Sequence, residues 1–200
     1  MRSTGAIVLL VVVLLVGFAG CAGCGSYNSL VQSDERVERA WADVETQYQR
    51  RADLVDNLVA TVQGAADFES STLQAVTEAR SRAQSAGLTA EQLSDPAALE
   101  AFQNAQAALG ASLGSLINVV REDYPELSAT EGFRDLQNQL EGTENRIATA
   151  RRDYNATVQS YNTSVRSFPT ALFAGLMGFE RRAPFEADPG AADAPEVSFD

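Results

Sequence analysis

Few residues in this 200-residue chain can do chemistry, and the two most reactive stand together near its start. Cys21 and Cys24, its only cysteines, close an apolar run from Ala6 to Val16 that exits through small residues. With Arg2 ahead of it, the stretch has the pattern of an export signal: a positive start, an apolar middle and a small-residue exit. Phe18-Ala19-Gly20-Cys21 has the form of a lipobox, with Phe where Leu is usual. Cys21 is thus the first candidate for acylation and Cys24 the second. The same stretch, extended from Ala6 to Cys24, also reaches the length of an uncleaved transmembrane helix, for which about 20 residues are needed. A disulfide, a redox pair or half a zinc site are the other uses of such a Cys-x-x-Cys. With no His and no further Cys, no zinc site can be completed. Residues 1–24 are therefore expected to attach the protein to a membrane, by lipid or by helix.

What is missing narrows the chemistry further. All 15 basic residues are Arg; there is no Lys and no His. That removes the commonest general base, the Ser-His-Asp arrangement and Schiff-base catalysis. Carboxylates alone remain, as in glycosidases, and Glu141 and Glu144 lie one helical turn apart. Solvated helix faces produce that spacing constantly. No cofactor is expected. With 27 acidic residues the net charge is −12 and the pI about 4.4. Such a surface excludes nucleic acid, whose phosphates need a basic face, and is repelled by anionic lipid headgroups.

From Tyr27 onward the apolar spacing is helical, and no strand alternation appears. Val37, Trp41, Val44 and Tyr48 begin a stripe that Val55, Val59 and Val62 continue. Ser71 to Gln74 reads as a capping box opening a second helix that Gly87 ends. Asp95-Pro96 starts a third, with Leu99, Phe102, Gln106, Leu109, Leu113, Leu116 and Val120 in three-four alternation. Gly110 and Gly114 inside it suggest close approach of a neighbouring helix. Tyr124-Pro125 closes the segment. A fourth helix runs from Thr130 with Phe133, Leu140, Ile147, Tyr154, Val158, Tyr161, Val165 and Phe168 on one face. The expected fold is all-α: a long antiparallel four-helix bundle over residues 27–182, with an N-terminal membrane anchor. A short repeat, Tyr27-Asn28, Tyr154-Asn155 and Tyr161-Asn162, reads as a packing stripe with Asn on its flank. The apolar, Gly-punctuated segment Thr170 to Phe179 is expected to pack over the bundle end or touch the headgroup zone. Residues 183–200, with three Pro, five acidic residues and no basic one, read as a disordered tail.

Several blocks carry a family resemblance. They include Val37-x-x-Ala40-Trp41-x-x-Val44-Glu45 and Gln49-Arg50-Arg51-Ala52-Asp53-Leu54-Val55-x-Asn57-Leu58-Val59. Others are Tyr124-Pro125-Glu126-Leu127 and Leu140-Glu141-Gly142-Thr143-Glu144-Asn145-Arg146-Ile147, followed by Arg151-Arg152-x-Tyr154-Asn155. From Tyr27 to Glu186 the chain resembles the LemA family. It departs at Asp56, where Pro is usual, at Asp123 in place of Asn, and at Ser128 in place of a basic residue. The resemblance implies a bacterial protein with an amino-terminal anchor, a long helical bundle and no established enzymatic activity. Some relatives take part in building magnetosome membranes.

The motif charges have structural uses first. Arg50 and Arg51 on the first helix, and Glu141, Glu144, Arg146, Arg151 and Arg152 on the fourth, flank an apolar seam. In antiparallel helices they would meet as Arg–carboxylate pairs, which suit the Arg fork. Together with Asn57 they are also the candidates for an interaction surface. The expected function is a membrane-attached, non-catalytic scaffold or adaptor on the extracytoplasmic side of the bacterial envelope, binding an envelope protein or itself. An apolar-ligand carrier and a carboxylate-based hydrolase are the alternatives.

Overall fold

A computed structural model describes residues 2–64 and 70–186; among the first 24 residues it describes the side chains of Leu9, Leu10 and Val13. The described residues hold six α-helices, two 3₁₀ turns and no strand. Helix α1 runs unbroken from Arg2 to Gln63, roughly 90 Å at 1.5 Å per residue, so the leader continues into the bundle without a linker. Then come α2 (Ser70–Ser85), a 3₁₀ turn (Glu91–Ser94), α3 (Pro96–Asp123), the single turn α4 (Pro125–Ser128) and α5 (Glu131–Arg166). The short α6 (Ala171–Ala174) and a 3₁₀ turn (Gly175–Met177) follow. Among the described residues no helix is long and apolar enough to cross a membrane. The acylation candidates Cys21 and Cys24 lie outside the described side chains.

Local chemistry sets the boundaries. The Asp95 carboxylate accepts from the Ala97 N–H at 2.9 Å, and Pro96 occupies the first helical position, where a missing N–H costs nothing. Tyr124 leaves the helical region because Pro125 follows, and this ends α3. Thr130 accepts from the Phe133 N–H and opens α5. Helix α2 starts at Ser70, one residue before the expected cap, so Ser71 lies in its first turn. Helix α1 passes straight through Asp56, whose carboxylate takes the guanidinium of Arg80 on α2.

Helix α1 packs chiefly along α5, and α2 along α3. The membership of the two cores sets the directions: from 30–48 to 54–62 along α1, the partners on α5 fall from 147–165 to 133–140 and those on α3 rise from 99–102 to 109–120, so α5 runs against α1 and α3 with it. Two apolar cores result. The upper one joins Leu54, Leu58 and Val62 of α1 to Val76 of α2, Leu109 and Leu116 of α3, and Phe133 and Leu140 of α5. The lower one joins Leu30, Val37, Trp41 and Tyr48 to Phe102, Tyr154, Tyr161 and Val165. All seven positions expected along the face of α3 are buried.

Beside the lower core α2 has already ended, and a different segment covers it. After α5 the chain makes a U-turn through α6 and climbs back as an extended strap, residues 179–186, which brings Ala183 and Phe185 into the core. The boundary expected at Ala183 is therefore corrected: the packed region reaches Glu186. Composition misled there, because one buried Phe among Pro and acidic residues has no periodicity. Phe168, expected on the buried face of the fourth helix, is 84% exposed, since α5 ends at Arg166. The close approach expected at Gly114 is absent: a Cβ there would meet nothing within 4 Å, and at Gly110 only the Arg51 Nη1 at 4.0 Å.

Candidate functional site

Between the two cores lies a polar layer built around Arg51. This side chain is 4% exposed, which removes it from any interaction surface. Its Nη1 donates to Glu144 Oε1 at 2.9 Å, and its Nη2 donates to both the backbone and side-chain oxygens of Gln106. Gln106 in turn donates to the Ala83 carbonyl of α2 at 3.3 Å. The guanidinium carbon stands 5.1 Å from the centre of the Tyr48 ring, a cation–π distance. One Arg thus joins α1, α3 and α5, with α2 reached through Gln106. Its Nε is buried with no hydrogen-bond partner. Thr143, also buried, donates to the Gln139 carbonyl one turn back.

The expected pairing of opposite charges across α1 and α5 is seen for Arg51 and Glu144; the remaining candidates scatter. Arg50 is exposed and lines an open groove of about 660 Å³ between α1, α2 and α3, with Tyr48, Phe102 and Leu109 also at its walls. Arg146 lines another groove, with Asp43 and Asp153. Glu141 accepts from Gln137, and Arg152 donates to the Ala148 carbonyl and to Thr149 of its own helix. Asn57 is exposed on α1. Arg151 lies 4.9 Å from the Phe185 ring centre and donates to the Glu186 carbonyl, so it holds the strap. The seven motif charges and Asn57 therefore do not form one patch.

The strap explains the Tyr-Asn repeat. Asn155 donates to the Phe185 carbonyl at 3.0 Å and accepts from the Phe185 N–H at 2.8 Å. One heptad on, Asn162 does the same with Arg182, at 2.9 and 3.0 Å. The tyrosines add to this: Tyr154 donates to the Ala183 carbonyl and Tyr161 to the Glu180 carbonyl. Even the copy on α1 takes part, since Tyr27 meets Phe179 edge to face at 5.9 Å. Each Asn amide imitates a strand partner, satisfying the donor and acceptor of an extended residue that has no sheet. Two residues that sequence reasoning passed over complete the hold. Arg182 grips Asp34 of α1 with Nε and Nη2 at 2.9–3.1 Å, and its Nη1 donates to the Ala90 carbonyl and to Ser94. Phe185 then fills a ring of Trp41, Phe102 and Tyr154 at centroid distances of 5.3–6.5 Å. Burial pushes the phenols of Tyr154 and Tyr161 up to about 12; the nearby Asp34 adds to the shift of Tyr161, and Arg182 opposes both.

Among the described residues no group of three or more His, Cys, Asp or Glu is placed to hold a metal ion. The carboxylate of Glu144 is engaged by Arg51, which separates it in function from Glu141.

These features define an all-helical bundle whose first helix extends out of an apolar leader and whose lower core is closed by a C-terminal strap. The chain belongs to the LemA family, which it matches over residues 40–199. It is 29% identical over 188 residues to the magnetosome protein MamQ 2 of Paramagnetospirillum magneticum, covering 86% of this chain and 68% of that protein. MamQ of Magnetospirillum gryphiswaldense is 28% identical over the same shares. Protein LemA of Metamycoplasma hominis is 22% identical over 175 residues, or 88% of this chain and 75% of that protein.

Proposed function

We propose that this protein is a membrane-attached helical scaffold of the bacterial envelope, without catalytic activity, that presents the outer face of its bundle to a protein partner on the extracytoplasmic side. One observation carries the reading: α1 passes without interruption from the apolar leader into both cores. A bundle joined rigidly to its anchor holds a fixed stance on the membrane, which serves positioning better than turnover. The residue inventory supports it, since neither His nor Lys is present and the carboxylate best placed for chemistry is taken by Arg51. Kinship with two MamQ magnetosome proteins fits a role in organising a bacterial compartment.

We take the groove of α1, α2 and α3 as the partner surface, because Arg50 stands exposed there among Glu45, Gln49 and Asp53. A photocrosslinking residue at Gln49, in full-length protein in intact cells, is expected to give a discrete protein adduct that Arg50→Glu abolishes. Arg51 must be left alone in this test, because its loss would disturb the fold. A chain that gives no adduct and is strictly monomeric in native membranes would refute the scaffold reading.

A further inference from the structure

We infer that the U-turn at the foot of the bundle inserts Phe168, Leu172, Leu176 and Met177 into the lipid interface beside α1. The inference rests on the membrane-attached reading and adds a second contact to it.

The U-turn exposes what a folded chain normally hides. Leu172 is 67% exposed, Leu176 88% and Phe168 84%, with Met177 also open. Four such side chains within ten residues make an apolar patch of the kind that marks a membrane or protein contact. The turn sits where α1 leaves the bundle: α6 packs against both α1 and α5, Ala174 shares the lower core with Leu30, and Phe179 touches Tyr27. The apolar leader, with Leu9, Leu10 and Val13 exposed, begins just beyond that level on the same helix. The exposed apolar groups of the leader and of the turn therefore lie at the same end of the bundle.

Charge points the same way. The chain carries 27 acidic residues, yet none lies in residues 1–33 or 154–179, the two segments that make up the leader and the foot. Asp34, the first acidic residue, is engaged by Arg182. Arg166 and Arg181, both exposed, line one groove beside the turn, where they would meet lipid phosphates. Apolar groups flanked by Arg are what an interfacial segment requires, and the exposed Glu180 lies just past them.

The test uses full-length protein in phosphatidylcholine vesicles with brominated or plain acyl chains. Leu176→Trp supplies a probe at the turn, and Leu10→Trp one in the leader. The native Trp41 lies roughly 20 Å up α1 from Tyr27, out of contact with bromine. The proposal expects the Leu176→Trp emission to shift to the blue and to lose most of its added intensity in brominated vesicles. Emission that stays red and unquenched would overturn it, as would a blue-shifted emission that bromine leaves intact, which would mean a protein covers the turn. If Leu10→Trp is quenched and Leu176→Trp is not, the anchor stands and the turn is clear of the lipid. Should neither be quenched, the membrane reading falls and this inference with it.

Discussion

Replacing Arg51 by Ala removes the group that holds Glu144 and both oxygens of Gln106, and it leaves a cavity between the cores. The expected loss is about 3–5 kcal/mol, the range for breaking a buried pair from one side. Glu144→Gln keeps an acceptor for Nη1 but takes the counter-charge from the buried guanidinium, and should cost about 1–3 kcal/mol, less than Arg51→Ala. Urea unfolding followed by Trp41 fluorescence measures both, and equal costs would contradict the layer described above. Asn155→Ala and Asn162→Ala each strip two backbone hydrogen bonds from the strap and should cost about 1–3 kcal/mol apiece. The Tyr-Asn repeat was legible in the sequence as a pattern, but its meaning was not. Its partners are backbone groups roughly 20–30 residues downstream, which any residue type supplies, so they leave no trace in composition.

Whole helices were far easier to read. The face of α3 announced itself through seven apolar or near-apolar positions at three-four spacing, because burying one side of a long cylinder forces that period. Gln106 fitted the period by position although its role is polar, and only the structure shows that it anchors Arg51. The glycines of α3 were misread: with open space at both sites, Gly110→Ala and Gly114→Ala should each stabilise the protein by about 0.5–1 kcal/mol in thermal unfolding. An extended strap has no such period, so its composition alone reads as tail. Its own signature is alkaline sensitivity. Tyr154 and Tyr161 must be neutral to donate, and their phenols hold the proton to about 12, against about 10 when unfolded. The folded state therefore binds more protons between those values, so their contribution to stability is complete below pH 10 and fades as the pH rises to 12. Trp41 fluorescence against pH checks this, and the Tyr154→Phe/Tyr161→Phe variant should lose much of the alkaline transition.

At the scale of the molecule, a net charge of −12 opposes compaction by self-repulsion, so stability should rise as salt is added from low ionic strength, read as an increasing Tm. A chain that ends at Arg182, where the bundle was first expected to stop, loses the Phe185 ring from its aromatic setting. It should unfold about 3–5 kcal/mol more easily, the usual cost of removing a buried Phe. That closing segment also dictates a timetable. Synthesis runs from α1 towards the strap, so α1 to α5 are all made before the segment that covers the lower core. The lower core needs residues 30–48 and 183–185 together, ends of the chain separated by nearly the whole bundle. It can therefore close only after the strap has left the ribosome. Until then Trp41 and its neighbours lie open, and the newborn protein is a natural client for holding chaperones.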